Sequence, residues 1–255
     1  MIRLFVTDID GCLSIPYRAF RLDVLGRLRE YAVAAGEPGT HELYPAVSIC
    51  SGRAYPYVEA MSQLLDLRCP VLFESGAGLF DPVQMHCIWH PEFDADVQIE
   101  MEEVKTFVTS LTDGRRLSID LSKRSQVAVV APERSVIESV YEEIVGYVSS
   151  SHPALETFMT PFSIDIVAPH LTKREGIAWL AERCGLSWGE IAFVGDTSGD
   201  MGALAKAGRS YAPANADTPV KDLVDVTTAG SDVEGVLEAY HDAIEFNRQA
   251  NRRGS

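Results

Sequence analysis

Two aspartates, one residue apart, follow a short apolar strand near the beginning of the chain. The predicted strand is Leu4 to Val6, and Asp8, Asp10 and Gly11 come after it. Ligands of open α/β sheets bind at the carboxyl ends of strands. Asp8 and Asp10 could therefore place an oxygen nucleophile and a second acid–base group around one bound cation. The same segment is also compatible with an Asx-type turn after a strand.

Polar groups of three further segments suit the same chemistry. These groups are Ser51 with Gly52 and Arg53, Lys173, and Asp196 with Asp200. Each of them could be a helix cap, a turn former or a solvated surface residue. Together, however, they lie where the carboxyl ends of parallel strands would converge, and caps alone do not explain that coincidence.

Phosphoryl transfer explains the set. Acidic groups at one edge of a sheet match a hard cation that prefers oxygen ligands, usually Mg²⁺. The hydroxyl of Ser51, the backbone amide of Gly52 and the ammonium of Lys173 are donors for phosphate oxygens. Asp8 would attack phosphorus and form an aspartyl-phosphate. Asp10 would protonate the leaving oxygen and later deprotonate water.

Strand and helix patterns alternate in the two end regions of the chain and predict an α/β core. In the first region we expect the strand Leu4–Val6, the helix Leu22–Ala35, the strand Ala46–Cys50, the helix Pro56–Leu65 and the strand Val71–Phe73. In the last region we expect the helix Glu175–Cys184, the strand Ile191–Val194, the helix Met201–Ala207, the strands Ser210–Ala212 and Val224–Thr227, and a helix from Val233 to about Phe246 before a frayed polar tail, Asn251–Ser255. The βαβαβ order implies a Rossmann-like sheet of parallel strands.

The middle of the chain has a different pattern and predicts a small α+β unit inserted into that core. We expect the helices Ala95–Leu111 and Glu133–Ser150, the strand Gln126–Val130, and two paired strands, Glu156–Thr160 and Ser163–Val167, around Pro161. Such runs of elements, with hairpins, are typical of α+β units. The predicted boundaries are 1–82 for the first part of the core, 83–168 for the insert and 169–255 for the second part of the core.

Charge and composition exclude several classes of partner. The formal charge of −15 repels nucleic-acid phosphates and anionic membranes unless a local basic patch exists. An anionic substrate would need a cation or a focused positive pocket. The five cysteines form no CxxC pair and argue against a disulfide framework or a structural zinc site. Because we find neither a signal peptide nor an apolar stretch of about 18 residues, we expect a soluble cytoplasmic protein and leave its oligomeric state open.

The motifs, taken in order, resemble those of phosphatases of the haloacid dehalogenase superfamily. They are Asp8-Ile9-Asp10-Gly11, Ser51-Gly52-Arg53, Lys173 and Gly195-Asp196-Thr197-Ser198-Gly199-Asp200. The insert between the second and third motifs resembles the α/β cap of subclass IIB, the Cof-type branch. The ending Tyr211-Ala212-Pro213-Ala214-Asn215-Ala216 resembles that of archaeal-type phosphoglycolate phosphatases, and sucrose-phosphate and mannosyl-3-phosphoglycerate phosphatases are similar relatives.

The resemblance implies a role for each motif residue. Asp8 is the nucleophile and a Mg²⁺ ligand, and Asp10 is the acid–base group whose backbone carbonyl also binds the metal. Ser51 and Lys173 bind the phosphoryl group. Asp196 binds the metal, and Asp200 binds it directly or through water. Asn215 forms a hydrogen bond near the site, and Arg53 contacts the phosphate or the leaving group. Three positions depart from the usual pattern: Cys12 replaces threonine, Ser75 replaces asparagine and Gly199 replaces asparagine.

Substrate choice is expected to lie in the cap, because the core motifs recognise only phosphate and metal. The cap carries the basic residues Arg115, Arg116, Lys123, Arg124 and Arg134. They could receive a carboxylate or a second phosphate, although a solvated hairpin face is the favoured interpretation. The sequence thus predicts a Mg²⁺-dependent phosphomonoester hydrolase acting on a small phosphorylated metabolite, such as phosphoglycolate or a sugar phosphate. The alternatives are a phosphomutase of the phosphomannomutase type and a non-catalytic phosphate-binding module.

Overall fold

The structure is a computed structural model that describes residues 1–112, 114–160 and 163–254. The chain forms two compact units, one of Met1–His90 with Lys173–Ser255 and one of Pro91–Thr172. The insert was placed at 83–168 from the sequence, but a hairpin that covers residues 78–89 belongs to the first unit. The first unit is called the core unit below, and the second the inserted unit.

The elements follow one another in this order. The strands and helices up to the end of the core unit's first segment are β1 (Leu4–Thr7), α1 (Leu22–Ala35), β2 (Ala46–Ile49), α2 (Tyr55–Leu64), β3 (Val71–Phe73), β4 (Gly78–Asp81) and β5 (His86–Trp89). The inserted unit contains α3 (Ala95–Thr112), β6 (Ser118–Ile119), β7 (Gln126–Val130), α4 (Arg134–Ser151), β8 (Glu156–Met159) and β9 (Ser163–Val167). The core unit then continues with α5 (Lys173–Cys184), β10 (Ile191–Val194), α6 (Met201–Leu204), β11 (Arg209–Ala212), α7 (Thr218–Leu223), β12 (Val226–Thr227) and α8 (Asp232–Gly254).

A parallel sheet in the order β12-β11-β10-β1-β2 forms the centre of the core unit. Leu4 of β1 lies opposite Ile191 of β10 on one side and Ala46 of β2 on the other. All residues of these three strands are buried, as expected for parallel strands that are covered on both faces. Because β1 lies between β10 and β2, the segments that follow these three strands emerge side by side at one edge.

Helices cover both faces of this sheet. Successive side chains of a strand point to opposite faces, and Phe5 packs in one hydrophobic cluster whereas Leu4 packs in the other. Residues of α1, α2 and α8 belong to the cluster with Phe5, and residues of α5, α6 and α7 belong to the cluster with Leu4. This arrangement confirms the predicted α/β class.

Helix α8 is longer than the sequence indicates. It was expected to end near Phe246 and to fray from Asn251, but it continues to Gly254; Ser255 lies outside the described residues. Asn247 is buried, accepts a hydrogen bond from Ile2 N (2.7 Å) and donates one to Ile2 O (2.8 Å). These bonds fix the last turns of the helix to the N-terminal segment of the chain, and no local pattern could reveal them.

An antiparallel sheet, β3-β4-β5, extends the core unit beyond β2. An isolated parallel bridge between Cys50 and Leu72 joins β3 to the end of β2. The hairpin of β4 and β5 was not predicted. At Gly78 a Cβ atom would lie 2.1 Å from Cζ of Phe73, so the close pairing of β4 with β3 requires a glycine at this position.

The inserted unit is an antiparallel sheet, β6-β7-β9-β8, with two helices. The α+β composition agrees with the sequence, whereas β6 was not predicted. Its core contains Val104 and Val108 of α3 and Val140 and Ile144 of α4. Pro161, expected between the paired strands, lies outside the described residues.

Four of the five basic residues that the sequence places in the cap form ion pairs within the inserted unit. The pairs are Arg115–Glu143 (3.5 Å), Arg116–Glu133 (3.0 Å), Lys123–Asp165 (3.5 Å) and Arg134–Glu138 (2.7 Å). Their charges are therefore balanced locally. Within the described residues of the whole chain, no helix has the length and the apolar character needed to cross a membrane.

Candidate active site

Asp8 begins the site directly after β1. Its backbone N–H donates to Val194 O of the neighbouring strand (3.1 Å), and its Oδ1 accepts from the N–H of Ile9 (2.7 Å). Its other oxygen, Oδ2, is 2.7 Å from Nζ of Lys173. The carboxylate is buried, so the protein holds it in one orientation at the carboxyl end of the central strand.

Gly11 allows the loop after β1 to approach the loop after β10. Its φ is +75°, in the left-handed region that side chains disfavour. A Cβ atom at this position would lie 1.9 Å from Oδ2 of Asp196, so the close approach requires glycine. The thiol of Cys12 also lies nearby, with Sγ 4.0 Å from Oδ1 of Asp196. Burial, and then the charge of Asp196, raise the pKa of Cys12, which is therefore a neutral thiol.

Asp200 organises the loop after β10. Its Oδ2 accepts hydrogen bonds from the backbone N–H groups of Asp196 and Thr197, both at 3.0 Å. Its side chain is fully buried, and its Oδ1 accepts from Nζ of Lys173 (2.6 Å). A Cβ atom on Gly195 would lie 2.4 Å from Cβ of Asp200. These bonds hold the loop in place although Gly199 stands where asparagine is usual.

Lys173 is the first residue of α5 and joins the loops that follow β1 and β10. Its ammonium group lies between Asp8 and Asp200, and its side chain is only 8% exposed. Helix α5 packs closely on the turn after β3. A Cβ atom at Gly176 would lie only 2.4 Å from Cα of Gly76, so this contact requires glycine. Burial disfavours the ammonium ion, but Asp200 and Asp8 outweigh that effect and raise the pKa of Lys173.

The carboxylates of the site repel one another. Oxygen atoms of Asp8, Asp196 and Asp200 lie within 4.8 Å of one another. Burial raises the pKa of Asp8 to about 6, opposed by Lys173 and reinforced by Asp200. Burial, and then the charges of Asp8 and Asp200, raise the pKa of Asp196 to about 8. When ionised, three carboxylates beside one ammonium leave a formal charge of −2, which a divalent cation would balance. Carboxylate oxygens are also the ligands that Mg²⁺ prefers, so the residues present fit the predicted metal.

Asp10 forms a two-pronged ion pair with Arg53. Nε of Arg53 is 2.5 Å from Oδ2 of Asp10, and Nη2 is 2.8 Å from Oδ1. The guanidinium of Arg53 thus contacts the predicted acid–base residue, and its contact with phosphate or leaving group stays a prediction. Its Cζ also lies over the rings of Tyr17 and Tyr57.

Ser51 lies at the end of β2, where Thr7 of β1 faces Ile49. Its side chain is buried, and its Oγ accepts from the backbone N–H of Arg53 (3.3 Å) across Gly52. The segment is held by the turn after β3, because Ser75 N donates to Ser51 O (2.8 Å) and Glu74 N donates to Arg53 O (2.9 Å). Both turn residues have left-handed φ values, 48° for Glu74 and 58° for Ser75. Strained backbone of this kind is often found at functional sites.

Asn215 connects the site to α8. Its Nδ2 donates to Gly11 O (2.8 Å), and its Oδ1 accepts from the N–H of Asp232 (2.7 Å). The side chain thus supports the loop that carries Asp8 and Asp10. Sequence reasoning missed Tyr17 and Tyr57 entirely, because single aromatic residues near a motif are usually packing residues.

The fold and the site together are those of an α/β protein with a buried aspartate at the end of its central strand and two further carboxylates beside it. A family model of haloacid dehalogenase-like hydrolases matches residues 88–239, more than half of the chain, and the protein belongs to this family. The prediction of the superfamily is thereby confirmed, and the relatives described next confirm the prediction of a phosphatase.

Known proteins resemble the chain over nearly its whole length. The phosphoglycolate phosphatase of Archaeoglobus fulgidus is 37% identical over 237 residues, which cover 93% of this chain and 95% of that protein. The phosphoglycolate phosphatase of Methanopyrus kandleri is 28% identical over 247 residues, which cover 96% and 98%. The crystal structure of Thermoplasma acidophilum 0175 is similar in fold, with a TM-score of 0.75 at 20% identity, covering 95% of this chain and 98% of that one.

Proposed function

We propose that this phosphatase is Mg²⁺-dependent, that it works through an aspartyl-phosphate on Asp8, and that its substrate is a small phosphorylated metabolite. The observation that carries the proposal is the group formed by the buried Asp8 and Asp200 and the half-buried Asp196 around Lys173. One ammonium ion cannot balance three carboxylates in a buried place. The excess of negative charge is explained if the group binds a divalent cation and if one of its carboxylates, Asp8, is the nucleophile that attacks phosphorus.

The chain's own residues would carry both halves of the reaction. An oxygen of Asp8 forms a bond to phosphorus while the bond from phosphorus to the leaving oxygen breaks, and Asp10 gives that oxygen a proton. Asp10 then takes a proton from water as the water oxygen attacks phosphorus and the bond to Asp8 breaks. Lys173 keeps Asp8 oriented throughout. Asp8, Asp196 and Asp200 would hold Mg²⁺, which supplies neutralisation of charge on the transferring group.

Phosphoglycolate is the first substrate to test, since the two relatives at 37% and 28% identity are phosphoglycolate phosphatases. Sugar phosphates come next. The described site residues all lie in the core unit and serve phosphate and cation only. We therefore assign discrimination between substrates to the inserted unit, Pro91–Thr172.

The test is release of inorganic phosphate by purified protein with Mg²⁺ from a panel that contains 2-phosphoglycolate and sugar phosphates. Asp8→Asn should abolish release while the circular dichroism spectrum stays unchanged. Asp23→Asn is the matched control, because Asp23 is an exposed aspartate on α1, and it should keep full activity.

Three results would contradict the proposal. Release that survives Asp8→Asn would remove Asp8 as the nucleophile. Isomerisation that needs a bisphosphate activator, without net release, would indicate a phosphomutase. Binding of Mg²⁺ and phosphate with no turnover of any member of the panel would indicate a non-catalytic module.

A further inference from the structure

Arg53 fixes the orientation of the Asp10 carboxylate. Two parallel hydrogen bonds from one guanidinium define both the distance and the plane of a carboxylate, which a single bond does not. Both side chains remain partly exposed, 23% for Arg53 and 28% for Asp10. A partly exposed arginine side chain has many alternative rotamers, so the pair needs further support to stay in one geometry.

Two tyrosines give this support. Cζ of Arg53 is 5.2 Å from the ring centroid of Tyr17 and 4.9 Å from that of Tyr57, within the range of cation–π attraction. Tyr17 lies in the loop between β1 and α1, and Tyr57 lies in the first turn of α2. Phe20 lies beside Tyr57, with ring centroids 6.5 Å apart. Two separate segments therefore contact the same guanidinium, and we call Tyr17 and Tyr57 the tyrosine pair.

The conformation of Tyr17 is unusual. Its φ is 59°, in a region that bulky residues avoid, and the residue is 78% exposed. Burial of the ring in a hydrophobic core therefore does not explain its placement. An unfavourable backbone conformation at an exposed position is informative when it brings a side chain to a functional group. Here it brings the ring to Arg53, which holds Asp10.

We propose that Tyr17 and Tyr57 are positioning residues that keep Arg53 against Asp10 and so hold the acid–base carboxyl group in place for proton transfer. The inference rests on the proposed role of Asp10. Proton transfer requires a carboxyl oxygen within hydrogen-bond reach of the leaving oxygen, and small displacements lower the rate steeply. Without the rings, the guanidinium can turn toward solvent and Asp10 can change its rotamer.

The kinetic test compares leaving groups. An alkyl phosphate needs a proton on its leaving oxygen, whereas p-nitrophenyl phosphate releases a stable phenolate that needs none. The variants are Tyr17→Leu, Tyr57→Leu and the double variant. We expect kcat/KM for the alkyl substrate to fall about tenfold or more, with a change of about twofold or less for the aryl substrate. The ratio kcat/KM is the right quantity because it reports the formation of the aspartyl-phosphate and not its hydrolysis.

Conservative variants separate positioning from a merely structural effect. Tyr17→Phe and Tyr57→Phe keep the aromatic face and should keep the ratio between the two substrates. Arg53→Lys keeps the positive charge but loses the two-pronged contact with Asp10. It should lower kcat/KM for the alkyl substrate as the leucine variants do. Val33→Ala shortens an exposed side chain on α1 of the core unit and should change neither value. Equal losses on both substrates in the leucine variants would overturn the proposal.

A second readout does not depend on activity. In ¹⁵N-labelled protein, the Nε–H signal of Arg53, identified by its absence in Arg53→Lys, should exchange slowly with solvent. The double leucine variant should exchange it about tenfold faster or more, and the double phenylalanine variant should not. Unchanged exchange in the double leucine variant would refute the role of the tyrosine pair. If wild-type protein hydrolyses neither substrate, the proposed function fails, and the exchange measurement still decides whether the rings hold Arg53.

Discussion

Replacement of Lys173 by methionine tests how the site balances its charges. The ammonium group lies 2.7 Å from Asp8 and 2.6 Å from Asp200, and all three side chains are at least nine-tenths buried. Methionine keeps most of the length and apolar volume of the lysine side chain. The substitution therefore removes one positive charge from a buried group of carboxylates with little change in packing.

The expected loss of stability is large. Removal of one partner from a buried ion pair costs about 3–5 kcal/mol, because the remaining charge is left uncompensated. For a chain of this length, about 2 °C of melting temperature corresponds to each kcal/mol, so the metal-free variant should melt about 6–10 °C lower. Lys173 lowers the pKa of Asp8, so its loss raises that pKa further above its wild-type value of about 6. Asp8 of the variant is then protonated first, and the difference from wild type should shrink as the pH falls toward about 6.

Differential scanning calorimetry of metal-free protein at a series of pH values measures this effect. Lys206→Met is the matched control, because Lys206 is exposed in the same unit. A surface substitution of this kind should change the free energy of unfolding by about 0.5 kcal/mol or less. If Lys173→Met melts at the wild-type temperature near pH 8, Lys173 is not the charge that compensates Asp8 and Asp200, and our account of the site is wrong.

Two further predictions follow from the geometry. Gly11→Ala should lower Mg²⁺ affinity, measured by calorimetry, because the new Cβ atom would displace Asp196. Its left-handed φ alone should cost about 1–2 kcal/mol of stability. Gly26→Ala is the control: Gly26 lies inside α1 with open space around it, and the substitution should stabilise the protein by about 0.5–1 kcal/mol. The raised pKa values of Asp8 and Asp196, about 6 and about 8, mean that metal-free protein loses stability as the pH rises from about 4 to about 8, since the unfolded carboxyls release their protons first. Mg²⁺ should therefore raise the melting temperature more at pH 8 than at pH 5.5, and Asp196→Asn should weaken this dependence; an equal rise at both pH values would contradict it.

The positions of the motif residues could be predicted because each follows an element with a strong local pattern. Buried apolar strands such as β1 and β10 are recognisable from sequence, and parallel strands bring their carboxyl ends to one edge. That rule places Asp8 and Asp196 at the same edge of the sheet, and the pairing of β1 with β10 in the structure makes them neighbours. The same rule places Ser51 at the end of the strand on the other side of β1.

Other features depend on contacts between residues far apart in sequence, and the sequence does not reveal these directly. The ion pair of Asp10 with Arg53 joins residues 43 positions apart, and the hydrogen bonds between Asn247 and Ile2 span 245 positions. The close approach of Gly78 in β4 to Phe73 in β3 is likewise visible only in the folded chain. Propensity and periodicity describe single elements, whereas these contacts are set by how the elements pack.

The charges of the site also explain how so acidic a protein could bind an anion. Its formal charge is −15, and the two cationic side chains described in the site, Lys173 and Arg53, are both already engaged by carboxylates. A phosphate group that approaches them meets ion pairs with little net positive charge. On the proposed function, the attraction for phosphate comes mainly from the divalent cation held by Asp8, Asp196 and Asp200. Binding of the cation and of the phosphorylated substrate must then be coupled, and by thermodynamic linkage each raises the affinity of the other by the same factor.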